Sequence, residues 1–298
     1  MKNAIKVITQ FCIYFILICI GFVYLQPIFM MISKAFMSAS DVIDPSVEWI
    51  PRDFSFDNLK IAADVLNLGE TFKNTVLFAG GLATCQTVIS AITGFALSRY
   101  SFKFKKMWFV LIIVGFIIPI PVLMVPRLMM VVWFQEAIDF VLIGTIIPQV
   151  AMAIMGQGIY STVLILIFYN FFNLIPKSLD EAAMIDGASS LQVFYYVVVR
   201  LSLSTILVVF LFSLVWNWNE TYITGTLVRG GIDLIPSKLA LFDSEFEGAV
   251  VAAGSAFKLN EAYKMSATLI SITPLIVLYA FVQRKFIQGI ENTGITGE

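Results

Sequence analysis

Six long apolar runs limit what this 298-residue chain can become. They fall near 7–31, 74–97, 107–129, 141–174, 201–224 and 265–283. A run of about 20 apolar residues crosses the roughly 30 Å hydrocarbon core of a bilayer as a helix, because a helix satisfies its backbone groups internally. Hydrophobic residues make up 59% of the chain and charged ones 13%, and mean hydropathy is +0.90. A soluble domain carries about 25% charge. The expected fold class is an all-α membrane protein with six transmembrane helices. The first run follows Lys2 and Lys6, is longer than a signal-peptide core and has no small-residue cleavage site, so it reads as an uncleaved helix. The fourth is long for one crossing. Pro148 and Gly156-Gln157-Gly158 are places for it to break or kink, with the excess emerging into the cytoplasm at Asn173-Leu174-Ile175-Pro176.

Basic residues in short loops mark the inner side. Loop 98–106 holds Arg99, Lys103, Lys105 and Lys106, and the inner face so defined carries ten of the 19 basic residues but only five of the 20 acidic ones. Both termini are therefore expected in the cytoplasm, in a multi-pass plasma (inner) membrane protein. Two long outer segments, about 32–73 and 225–264, hold Asp41, Asp44, Glu48, Asp53, Asp57, Asp243, Glu245 and Glu247. They read either as a solvated face or as a landing surface for an external partner. Histidine is absent, and Cys12, Cys19 and Cys85 lie in apolar runs without metal-ligand spacing. No metal site, disulfide or nucleic-acid footprint is expected.

Between runs four and five lies a polar island, Ser178-Leu179-Asp180-Glu181-Ala182-Ala183-Met184-Ile185-Asp186-Gly187. Ser178 and Glu181 have capping-box spacing, Gly187 suits a left-handed helix end, and Ser189 with Gln192 repeats the capping spacing. The expectation is a cytoplasmic helix–Gly–helix element. It reads as a well-capped surface loop or as a docking element for another subunit. The segment Trp216-Asn217-Trp218-Asn219-Glu220 has two readings as well: an interfacial anchor, or a substrate pathway whose amides and carboxylate bond hydroxyls beside an aromatic plane. Gln86, Gln149, Gln157 and Asn170 are further pathway candidates or interhelical glue. Gly80, Thr84, Thr87, Ala91 and Gly94 share one face of the second helix, suited to close packing or to lining a polar path.

From about Thr71 to Gly289 the chain resembles the maltose-type permeases of carbohydrate ABC importers. The resemblance is carried by Phe72-Lys73-Asn74-Thr75, Gly94-Phe95-Ala96-Leu97-Ser98-Arg99-Tyr100, Ile175-Pro176-Lys177-Ser178-Leu179-Asp180-Glu181-Ala182-Ala183 with Asp186-Gly187-Ala188, Trp216-Asn217-Trp218-Asn219-Glu220, and Gln283-Arg284-Lys285-Phe286 with Gly289-Ile290. The third matches the EAA loop closely. One departure is Val197-Val198-Val199-Arg200, where the family usually reads Ile-x-Leu-Pro; it bears on a local kink and leaves the docking reading intact.

The resemblance implies residues 1–70 as a first helix with an external loop, 71–284 as the importer transmembrane domain and 285–298 as a cytoplasmic tail. It implies that Glu181, Ala182, Ala183, Asp186 and Gly187 dock an ATPase subunit, and it gives Trp216, Asn217, Trp218, Asn219 and Glu220 a place on the pathway. The implied partners are a sister permease, two copies of an ATP-binding subunit, an extracytoplasmic sugar-binding protein and the lipid bilayer. ATP and Mg belong to those partner subunits, and this chain binds no cofactor. It has no phosphate-binding glycine loop with Lys-Ser/Thr, so it is not expected to be an enzyme. The implied cargo is a sugar, a di- or oligosaccharide. Alternatives are a permease for a non-sugar solute and a secondary transporter. The latter calls for midplane acids or inverted repeats, and neither is evident. An intramembrane enzyme has no supporting cluster.

Overall fold

A computed structural model describes residues 2–252 and 259–292. Part of the second outer segment (253–258) and the end of the expected tail (293–298, with Glu298) lie outside the described residues. The described residues are helical and contain no strand; one isolated bridge pairs Met37 with Phe54. In chain order the helices begin with α1 (Lys2–Ala35), α2 (Ala39–Ile43), α3 (Asp57–Leu66), α4 (Leu68–Arg99), α5 (Lys105–Ile117) and α6 (Ile120–Ile138). Next come α7 (Ile147–Ile154), α8 (Ser161–Leu174), α9 (Lys177–Ile185), α10 (Ser190–Gln192), a π-turn over Val193–Val198, and α11 (Val199–Leu201). The last are α12 (Leu203–Trp218), α13 (Tyr222–Leu227), α14 (Ile235–Ala240), α15 (Phe242–Ala252) and α16 (Glu261–Asn292).

Among the described residues, four helices are long and apolar enough to cross a membrane: Lys6–Ala35, Leu68–Arg99, Ile120–Ile138 and Glu261–Arg284. Two bent pairs, Ser161–Leu174 with Lys177–Ile185 (73°) and Ser190–Leu201 with Leu203–Trp218 (82°), bring the number to six if each pair is one span. Three of the sequence-derived runs are not single helices; the fifth (201–224) ends α12 at Trp218 and resumes as α13 at Tyr222. The third breaks between α5 and α6, where Pro119 caps α6 in an extended conformation and Pro121 sits in its first turn. Pro121 has no N–H to donate and cannot continue a preceding helix. The fourth divides at the glycine cluster into α7 and α8, while Pro148 starts α7 without kinking it.

The chain falls into two units, residues 1–68 with 238–274 and residues 69–237 with 275–298. In the first, Ala62, Val65 and Leu66 of α3 pack on Phe242 and Phe246 of α15 and on Tyr263 and Ala267 of α16. The Phe246 and Tyr263 rings stack at 5.4 Å. Along the middle of α1, Phe11, Tyr14, Ile18, Phe22 and Val23 are exposed, as a lipid-facing helix requires. At its end, Asn58 donates to the carbonyls of Lys34 and Met37 at 3.0 and 2.8 Å, satisfying helix-end acceptors. Several acids of the two segments expected to lie outside are bound into this fold. Buried Asp41 accepts from the N–H groups of Arg52 and Asp53 at 2.9 and 3.1 Å. Asp44 meets Arg52, Asp243 meets Lys264 and Glu245 meets Lys238 at 2.9, 2.7 and 3.1 Å. The Ser46 hydroxyl and N–H, together with Arg52, hold the Asp44 carboxyl below its usual range.

The second unit is built around a core where α4, α8 and the π-turn meet: Ala91, Phe95, Leu164, Phe168, Phe172, Val193 and Val198. Gly94 permits the approach, because a Cβ there would lie 2.7 Å from Phe168 Cβ and 3.0 Å from the Tyr169 nitrogen. The small-residue face is divided between two environments. Ala91 and Gly94 are buried, whereas Thr84 and the largely buried Thr87 line an open groove of about 460 Å³ with Val88, Leu203, Ile206, Leu207 and Phe210.

Candidate functional site

Two places in the second unit concentrate polar chemistry. The first is the polar island. Helix α9 starts at Lys177 with Pro176 as its N-cap and no side-chain cap, so the expected Ser178–Glu181 capping box does not form. Proline, with φ fixed at −58° and no N–H to satisfy, starts the helix early and leaves Ser178 one residue inside it. Gly187 turns the chain at φ +89°, and Ala188 donates to the Ala183 carbonyl at 3.0 Å. The Ser189–Gln192 capping box is present and starts α10, with Ser189 N–H donating to Gln192 Oε1 at 2.7 Å.

Glu181, Ala182, Asp186 and Gly187 are exposed, while Ala183 is half-buried against the core. The most exposed large apolar side chains on the elbow are Ile185 at 86% and Leu191 at 80%, with Met184 and Leu179 beside them. Beneath it, Asp180 is buried against Arg99 at the end of α4, with Nε and Oδ2 2.7 Å apart. The Nε–H is not directed at an acceptor, so the pair is an ion contact. A second arm of the same guanidinium donates to the Ile175 carbonyl at 3.0 Å. Arg99 thus ties the ends of α4 and α8 to the first turn of α9. Sequence reading placed Arg99 in a topogenic loop and passed over Asp180; the helical offset that turns Asp180 inward while Glu181 faces out was the available signal.

The bend before α12 survives without proline. Ser202 donates its hydroxyl to the Val198 carbonyl beside the π-turn, and the two helices meet at 82°. Arg200 lies over the Tyr196 ring at 5.6 Å.

The second place is the far end of α12. Gln86 of α4 is 1% exposed, and its amide is fully used. Its Oε1 accepts from Asn217 at 2.7 Å and from the Ser213 hydroxyl, and its Nε2 donates to the Ile159 carbonyl and Ser161 Oγ, both at 3.2 Å. Gly158 makes room for it: a Cβ there would stand 1.8 Å from Gln86 Nε2. Glu220 is also buried. Its oxygens accept from Ile223 N–H (2.6 Å), Thr224 N–H (2.8 Å) and the Thr224 hydroxyl (2.8 Å), capping α13, and Gln149 joins through Thr224 at 3.2 Å. Asn217 and Glu220 therefore have structural tasks that sequence reading did not foresee.

Trp218 is buried, with Phe72 edge-on at 6.4 Å. Trp216 stacks on Phe212 at 5.5 Å and meets Tyr160 edge-on at 4.9 Å. Asn219 and Asn170 are exposed. Arg127 of α6 approaches Gln157 Oε1 at 3.4 Å. A lone arginine inside an apolar run was the sequence signal for it.

The family model for the binding-protein-dependent transport system inner membrane component matches residues 86–292. The chain belongs to that family. As such a transport-system membrane component it is a multi-pass membrane protein. The melibiose/raffinose/stachyose import permease protein MelC of Bacillus subtilis is 28% identical over 262 residues, covering 85% of this chain and 86% of that one. The diacetylchitobiose uptake system permease protein DasC of Streptomyces coelicolor is 24% identical over 287 residues, covering 95% of each. The osmoprotective compounds uptake permease protein GgtD of Synechocystis is 25% identical over 284 residues, covering 93% and 89%. The fold matches a chain of a bacterial ABC transporter involved in the import of the acidic polysaccharide alginate, with TM-score 0.73 and 22% identity over 94% of this component and 96% of that chain.

Proposed function

We propose that this chain is the membrane-spanning subunit of an ATP-driven importer of a di- or oligosaccharide. The α9–Gly187–α10 elbow carries the reading. It exposes Glu181, Ala182, Asp186 and Gly187 beside the apolar Ile185 and Leu191, and a buried ion pair roots it in the transmembrane core. Such a surface buries in the cleft of another protein. Rooted in α4 and α8, it passes motion there into the spanning helices.

In this reading the elbow and both termini are cytoplasmic. Residues 71–284 form the transport domain, 1–70 the first helix and external loop, and 285–298 a tail. ATP and Mg are used by two copies of an ATP-binding subunit docked on the elbow, with Ala183 bracing it from the core side. A sister permease and an external binding protein complete the assembly. The names of MelC and DasC support a saccharide cargo. Trp216 and Asn219 are the members of the 216–220 segment open to a substrate, while Asn217, Trp218 and Glu220 hold the wall behind them. GgtD, named for osmoprotective compounds, favours a second reading with a non-sugar cargo.

The test is uptake by proteoliposomes carrying the four components, with labelled raffinose and maltotriose as probes. ATP-dependent accumulation of either supports the reading. Accumulation driven by a proton or sodium gradient without the ATPase subunit overturns it.

A further inference from the structure

We propose that Arg127, with Gln157 and Tyr160, forms a subsite for a carboxylate group on the transported saccharide. The inference rests on the saccharide-permease reading above. Arg127 is the only charged residue between Lys106 and Glu136. Helix α6 packs through Met124 and Val131 onto Met152, Ile223 and Leu227, with Leu128 and Ile159 at the margin. Arg127 projects about 60° around the helix from the Met124 direction, at the edge of the packed face, where it meets Gln157. Among the described residues no carboxylate lies within 4.0 Å of it, and it donates to the Gln157 oxygen at 3.4 Å. A guanidinium has five N–H donors, so most of this one's capacity is unspent.

The depth of the site matters. Gln157 and Tyr160 belong to the irregular segment between α7 and α8. Helix α8 separates it from α9 by 14 residues, or about 21 Å at 1.5 Å per residue. If α9 lies at the inner surface, the turn is well inside the bilayer. Irregular backbone at that depth is tolerated only when it is buried in protein or lines a watery space. Gln157 and Tyr160 are exposed on this chain, and the subsite requires that the space they face hold water rather than a neighbouring subunit. Tyr160 and Trp216 are 4.9 Å apart and offer an aromatic surface for a sugar ring. An unneutralised cation beside such a surface favours a ligand bearing an anion, and a planar guanidinium fits a carboxylate with two parallel bonds.

The test uses the complete transporter with its binding protein in proteoliposomes. The probes are trigalacturonate, maltotriose and a phosphorylated disaccharide. Wild type should accumulate trigalacturonate. Arg127→Gln should reduce that uptake by about tenfold or more, the loss of one strong charge-assisted contact, with Arg127→Lys retaining most of it. Gln157→Glu should reduce it as well, because a built-in carboxylate then occupies the arginine. Uptake of maltotriose but not trigalacturonate by wild type, or trigalacturonate uptake indifferent to both Arg127→Gln and Gln157→Glu, overturns the subsite and leaves the saccharide reading standing. Arg127-dependent uptake of the phosphorylated disaccharide alone overturns the carboxylate assignment. Should Arg127→Gln fail to assemble while Gln157→Glu transports trigalacturonate normally, the arginine is an assembly residue and the proposal falls. ATP-dependent uptake of no saccharide by wild type overturns the parent reading instead.

Discussion

Asp180→Ala is the most informative perturbation of the elbow. It leaves the Arg99 guanidinium, whose side chain is 6% exposed, facing a hole where a carboxylate stood 2.7 Å away. Removing one member of a buried pair costs about 3–5 kcal/mol, because the remaining charge stays desolvated without a partner. The Ile175 carbonyl still accepts from one arm, so the lower end of that range applies. A nine-residue helix such as α9 cannot hold itself in place in water, and the cost should emerge as release of α9 from the core with the spanning helices still folded. The assay is co-purification of the ATPase subunit together with substrate-stimulated ATP hydrolysis in the reconstituted complex. Asp180→Ala should lose coupling by about tenfold or more while the chain still inserts, since 1.4 kcal/mol is a factor of ten. The double variant Asp180→Leu with Arg99→Met should recover much of it, because an apolar pair of similar volume matches or exceeds a buried ion pair. Normal coupling in Asp180→Ala, or no recovery in the double variant, would refute the reasoning.

Gly187→Val should abolish coupling without affecting insertion. No atom lies within 4 Å of the added Cβ, so the whole penalty is a β-branched residue at φ +89°; co-purification of the ATPase subunit reads it. Gly158→Ala should lower the thermal stability of the complex by about 1–3 kcal/mol through overpacking against Gln86, seen as a lower unfolding temperature in detergent. Glu220→Ala should destabilise the assembly as well as transport, since two buried N–H groups lose their acceptor at about 1–3 kcal/mol each. Asn219→Ala, at an exposed position, should leave the unfolding temperature unchanged, so uptake by that variant isolates any pathway role. A cysteine introduced near Asp53 should label from outside and one near Lys103 only after permeabilisation.

The spanning architecture was legible because length and hydropathy are local properties. Runs 7–31, 74–97 and 265–283 became α1, α4 and α16 with little change beyond their ends. The breaks were harder to read. Hydropathy continues through Pro119, where only backbone chemistry marks the break, whereas the Gly156-Gln157-Gly158 cluster was a readable break in the fourth run. The elbow was readable because Gly187 and the Ser189–Gln192 pair are short-range signals. The Ser178–Glu181 box had the right spacing too, yet Pro176 set the helix start ahead of it. Tertiary partners were out of reach. The Asn217–Gln86 bond joins residues 131 positions apart, and the bond linking Gln149 to Thr224 spans 75. Their polarity was visible, but without the partners it looked free for a substrate.

The central claim is that the α9–Gly187–α10 elbow seats in an ATP-binding subunit. A photo-crosslinking residue at Ile185 or Leu191, the two most exposed large apolar residues there, tests it directly when the complete complex is illuminated in membranes. The same residue at Ile18, on the exposed face of α1, serves as the control. The account predicts an adduct with the ATP-binding subunit from Ile185 and Leu191, changed in yield by ATP, and none from Ile18. An intact complex giving no such adduct from either elbow position, or adducts there with the external binding protein, would contradict it.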